Sequence, residues 1–165
     1  MDRRSFLKTA AAAGVIGATA SWELAATLAS GRKKIAALST TYHVRSHSDN
    51  FITRFLEGYW INDRYYEPPC KVGSLFVEQE HNADISRWLA TSWGVTTYPT
   101  IQETLTLGGK DLAVDGVLLI AEHGDYPTNV KNQKLYPRYR FMKEVVNVFR
   151  RSGRSVPVFN DKQLS

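Results

Sequence analysis

Cysteine is almost missing from this sequence: Cys70 is the only one in 165 residues. A single thiol excludes an intramolecular disulfide and a thiolate metal cluster. It follows Pro68-Pro69 in a turn-like stretch, which suits a structural thiol. Also missing is an apolar run long enough to cross a bilayer, which takes about 20 residues. The formal net charge is only +5, and Arg3, Arg4, Lys8 and the Arg32-Lys33-Lys34 cluster contribute to it. No basic run is interleaved with aromatics, so nucleic acid is not an expected partner. There is no internal repeat.

What is present begins with a recognisable leader. Arg3-Arg4 precedes Ser5-Phe6-Leu7-Lys8, an apolar Ala- and Gly-rich run extends from Thr9 to Ala20, and Ala18-Thr19-Ala20 has the small-residue cleavage pattern. A charged start, a short apolar core and a small-residue exit make a signal peptide. The arginine pair points to twin-arginine (Tat) export. The expectation is therefore a Tat signal peptide and tether over residues 1–30, a periplasmic or extracellular location, and no stable membrane anchor after cleavage. About 145 residues remain once the first twenty or so are removed, enough for one domain with a proper core.

From residue 31 to 165, apolar runs alternate with helical patterns. Strands are expected at Lys34–Thr41, Val72–Val77, Thr97–Tyr98, Val114–Ala121 and Val156–Phe159. Helices are expected at Asp49–Tyr59, Asp84–Trp93, Thr100–Leu107 and Pro137–Ser152. The run VDGVLLIA is apolar on both faces, as a central parallel strand requires. Strict βα alternation predicts an α/β fold: a doubly wound, Rossmann-like parallel sheet of strand order 3-2-1-4-5. Ligands bind such sheets where the first and fourth strands meet. Trp60, Tyr65 and Tyr66 lie between the first helix and the second strand, placed to cover a sheet edge or face a partner.

Three segments carry a family resemblance. Leu112 to Ala121 looks like a fourth strand with a V-D-A-V start and an aliphatic run. Gly94 to Leu105 looks like a third strand and its "y-x-s-x-e-e-L" helix. Val158 to Ser165 is similar to a fifth strand followed by an E-K-P motif. In order and spacing they resemble the N-terminal domain of the glucose-fructose oxidoreductase, inositol dehydrogenase and MocA (Gfo/Idh/MocA) family. The resemblance implies NAD or NADP as cofactor, a sugar or polyol as the small-molecule substrate, and Lys162, at the E-K-P lysine position, as the catalytic group. It also implies a second domain after Ser165, so that the chain is a fragment, and homo-oligomer formation through that missing C-terminal domain. Thr41, Tyr42, His43 and Ser46 in the first loop would face the cofactor, with Glu78 and Glu122 at the ends of the second and fourth strands.

The sequence departs from the family at two places. Asp161 and Gln163 stand where the motif has glutamate and proline. The glycine-rich loop is absent altogether: Ser39 to Ser48 contains no glycine, although the second glycine of G-x-G-x-x-G is what lets backbone approach a pyrophosphate. A helix N-terminus can still hold an anion there.

A second constellation points elsewhere. His43 and His47 follow the first strand, and Glu122 and His123 follow the fourth, with Asp125 close behind. Imidazole and carboxylate together suit a divalent metal. This makes His43, His47, Glu122 and His123 an alternative metal set, and a metal-assisted hydrolase or lyase the alternative function; a non-catalytic binding module is a third. The long polar connection from Gly124 to Pro137 is a candidate binding loop.

Overall fold

The computed structural model describes residues 31–163. Residues 1–30, where the export signal and tether are expected, and residues 164–165 lie outside the described residues. In chain order the elements are β1 (Lys33–Ser39), α1 (His47–Glu57), β2 (Tyr59–Ile61), β3 (Arg64–Tyr66), β4 (Cys70–Val77), α2 (Ser86–Ser92), β5 (Thr96–Thr97), α3 (Ile101–Thr106), β6 (Gly116–Ile120), α4 (Arg138–Ser152) and β7 (Val158–Asn160).

Five of the strands form one sheet in the order β5-β4-β1-β6-β7, and every pairing in it is parallel. Side chains along a strand point alternately to the two faces, and the core divides accordingly. Ala36, Leu38, Val117 and Leu119 face α3 and α4, where Ile101, Leu105, Phe141, Val145 and Val148 pack on them. Ile35, Ala37, Leu118 and Ile120 face the other way, toward Ile52 of α1 and Leu89 and Ala90 of α2. The interior strand β6, beside the central β1, is buried along its whole length. Helices therefore cover both faces of a parallel sheet, which is an α/β fold.

The helix boundaries follow local chemistry. Thr100 caps α3: its hydroxyl accepts from the Glu103 amide and donates to the Glu103 carboxylate. Ser46 caps α1 through the Asp49 amide. Gly153 ends α4 in the left-handed region that glycine occupies without steric cost.

The hairpin β2–β3 was not anticipated. Asn62 and Asp63 both have positive φ, the two-residue turn that matches strand twist. The Tyr59 and Tyr66 rings stack across the pair, and the Tyr65 hydroxyl donates to Glu57 O. Trp60, Ile61 and Tyr65 remain exposed. Among the described residues no helix is long and apolar enough to cross a membrane.

Candidate functional site

Parallel strands end on a common edge, and four neighbouring strands here each carry a titratable residue just past that edge. His43 follows β1, His81 follows β4, His123 follows β6 and Asp161 follows β7. Loops over such an edge are where open α/β sheets bind ligands. With His47, the first residue of α1, all four histidines of the chain gather in one place. The His43 ring centre lies 4.2 Å from that of His81 and 5.6 Å from that of His123; His47 and His123 are 5.1 Å apart.

Each imidazole is positioned by backbone. His43 sits in a turn closed by the Ser46 amide on the His43 carbonyl, and pairs across an isolated bridge with Asp84. Beneath it Tyr42 is fully buried, its hydroxyl bonded to Thr53 of α1, so this loop is pinned to the core. Burial, chiefly, pushes the Tyr42 phenol far above its ordinary pKa. His47 enters at the start of α1 and its Nδ1 meets Asp161 Oδ2 at 2.5 Å; the Asp161 side chain is only 5% exposed. His81 Nδ1 accepts from the Ala83 amide at 3.0 Å. Desolvation first, then the proximity of His47 and His43, holds His123 below the usual histidine range.

Buried polar atoms normally find a partner. His123 Nε2 and the hydroxyls of Thr40 and Thr41 are buried at this edge with none. Beside them opens a cleft of about 630 Å³ lined by Thr41, His43, His81, His123, Asp125 and Lys134 among others. One wall is the chain after β6. Gln79 holds it with two hydrogen bonds to the Asp125 backbone, at 3.1 and 2.8 Å. Gly124, the residue before Asp125, has φ +122°, and a Cβ there would meet Tyr126 Cε2 at 2.7 Å and Gln79 Oε1 at 2.9 Å.

The residues singled out from the sequence separate into two groups. His43, His47 and His123 come together. Glu122 does not turn to them as a free ligand: its carboxylate is held by the Arg138 guanidinium at 2.7 Å. Glu78 is likewise engaged, by Arg140 and by the Tyr126 hydroxyl. Burial and that bond to Glu78 push the Tyr126 phenol well above its ordinary pKa. Tyr42 faces the core, and the Ser46 hydroxyl is spent on the amides of Asp49 and His43. Thr41 lines the cleft with an unpartnered hydroxyl. Lys162 is half-buried, one residue past Asp161. Among the described residues, no three His, Cys, Asp or Glu side chains are arranged to hold a metal ion.

Two members of the cluster escaped the sequence reading: His81, and Asp161 as the partner of His47. The available signal was positional. His81 stands four residues past Val77, as His43 stands four past Ser39, and Asp161 directly follows β7.

Comparison with protein-family models, with curated proteins and with solved structures finds no match to this chain.

Proposed function

We propose that this is the chemistry-bearing domain of an exported enzyme acting on a small polar molecule, with the histidine cleft at the carboxyl edge of the sheet as its site. The observation that carries the reading is the His47–Asp161 pair. A carboxylate on Nδ1 fixes the tautomer and orientation of an imidazole and leaves Nε2 as the reactive atom. A nearly buried aspartate on that nitrogen, beside a second imidazole with an unpartnered buried nitrogen, is an arrangement suited to proton transfer or ligation. The all-parallel sheet β5-β4-β1-β6-β7, with helices on both faces, supports a Rossmann-like, doubly wound assignment of the expected order 3-2-1-4-5. The Tat-type leader, with Arg3-Arg4, supports export.

The second reading is an NAD- or NADP-dependent oxidoreductase of Gfo/Idh/MocA type with Lys162 as catalytic group. The same strand order favours it, as does the place of Lys162 beside the cluster. The glycine-free first loop and the engagement of Glu78 by Arg140 and Tyr126 weigh against it.

Heteronuclear NMR of the four imidazoles separates the two readings. A panel of small hydroxy- and carboxyl-bearing compounds is expected to contain ligands that shift His43, His47 and His123, while millimolar NAD(H) or NADP(H) leaves them unchanged. Saturable dinucleotide binding with silent histidines would overturn the proposal in favour of the second reading. A response to neither class would leave a non-catalytic binding module.

A further inference from the structure

We infer that the cleft takes a small zwitterion, a molecule with an ammonium and a carboxylate close together, of which a free amino acid is the simplest case. This rests on the reading of the cleft above and names the substrate class its walls select.

The first argument is a pair of imidazoles whose Nδ1 atoms are fixed by local backbone in opposite senses. A carbonyl oxygen can only accept, so the 3.1 Å contact of His43 Nδ1 with Val44 O puts the His43 proton on Nδ1. The neutral ring then offers Nε2 as an acceptor. A backbone N–H can only donate, so the 3.0 Å bond from the Ala83 amide to His81 Nδ1 puts the His81 proton on Nε2, which becomes a donor. The two ring centres are 4.2 Å apart, and both residues line the cleft. An acceptor therefore stands beside a donor.

The second argument is charge. Asp125 and Lys134 line the same cleft from the chain after β6. Gln79 holds Asp125 by its backbone alone, and Lys134 Nζ donates to Gly124 O at 3.2 Å. Among the described residues neither side chain makes an ion pair. The other acids around this edge are engaged: Glu80 by Arg87, Glu78 by Arg140, Glu122 by Arg138 and Asp161 by His47. One unpaired carboxylate and one unpaired ammonium thus line one cleft.

A zwitterion matches this set. Its ammonium finds acceptors in Asp125 and His43, and its carboxylate finds donors in Lys134 and His81; charge-assisted hydrogen bonds are the stronger kind. A phosphate dianion fits worse, because it brings two negative charges to one cation with Asp125 unpaired nearby. A neutral polyol leaves both charges unused. The buried lining also calls for a polar ligand. Thr41 is 3% exposed and its hydroxyl has no partner, nor has His123 Nε2, and buried polar atoms normally find one.

The test is calorimetry of the full chain against the common free amino acids. At least one should bind with one-to-one stoichiometry and shift the ring signals of His43 and His81 in NMR. The amide of that amino acid lacks the negative charge, and the corresponding hydroxy acid lacks the positive one. Each should bind about 10-fold more weakly, the loss of one charge-assisted contact. Asp125→Asn should abolish the preference over the hydroxy acid and keep that over the amide; Lys134→Met should do the reverse. A merely structural role would weaken all three ligands alike. Both residues are exposed, and far-UV circular dichroism with thermal melting establishes that the variants are folded. Absence of amino-acid binding, a hydroxy acid or amide that binds as tightly, or preferences unmoved by the two variants would overturn the inference. If no amino acid binds but another small compound still shifts His43, His47 and His123, the zwitterion assignment falls and the cleft reading stands.

Discussion

Asp161 and His47 are 114 residues apart in sequence and 2.5 Å apart in space. The contact joins the end of an edge strand to the first residue of the first helix. Because Asp161 is nearly buried, the bond is made where water competes poorly. Truncation to Asp161→Ala should cost about 1–3 kcal/mol, the usual loss when a buried charged hydrogen bond is broken. Urea denaturation, at constant m-value, measures it. A loss below a few tenths of a kcal/mol would show that the pair does not contribute to folding.

Asp115 offers a prediction in pH. Its carboxylate accepts from the Lys34 amide at 3.0 Å and lies near Lys33 and Arg154. The backbone bond first, with the two cations adding, lowers its pKa below the ordinary carboxylate value. A depressed folded-state pKa contributes stability above the unfolded value, near 3.9, and loses it as pH falls through the folded value. Asp115→Asn should therefore be less stable than wild type at pH 7, and the gap should close as pH falls through the folded-state value, by urea denaturation at neutral and acid pH. A difference that is flat in pH would remove the carboxylate from the account.

Gly124 is a steric prediction. Any side chain there meets the Tyr126 ring and Gln79, both of which hold the loop wall. Gly124→Ala should destabilise by about 1–3 kcal/mol and raise amide exchange across residues 124–137, since positive-φ strain and overpacking act together. Unchanged exchange at Asp125 would count against the anchoring role of Gln79.

Two phenols should resist ionisation. Tyr42 is raised chiefly by burial, and Tyr126 by burial and then by its bond to Glu78. In a spectrophotometric titration of the folded protein, both should stay protonated as ordinary tyrosines ionise near pH 10, an order-of-magnitude reference. Tyr126→Phe should leave the amplitude of that early phase unchanged. A smaller early phase in the variant would place Tyr126 among the exposed phenols.

Phe141 is fully buried and meets Phe76 edge to face at 5.7 Å, joining α4 to the sheet. Phe141→Ala should cost about 3–5 kcal/mol by urea denaturation, the range for emptying an aromatic core position.

The layers of this molecule were legible in the residues themselves. VDGVLLIA is apolar on both faces because β6 is covered on both, and Phe141, Val145 and Val148 repeat at helical spacing because one side of α4 packs on the sheet. Those patterns are local, and periodicity reports them. The hairpin at Asn62-Asp63 was missed because its strands are three residues each, too short for a period to show.

The site was half legible. Histidines just past strands mark a ligand edge, so His43, His47 and His123 stood out from composition and position alone. What no local pattern contains is which strand ends are neighbours and where each carboxylate goes. Arg138 is sixteen residues beyond Glu122, a full loop away, and takes that carboxylate for itself. Asp161 reaches His47 only because α1 and the end of β7 meet at the same edge. Sequence alone determined the alternation that makes a two-sided parallel sheet and the residue types along its rim. Tertiary structure decided which imidazoles meet and which acids are already spent, because those depend on distances across strands rather than along them.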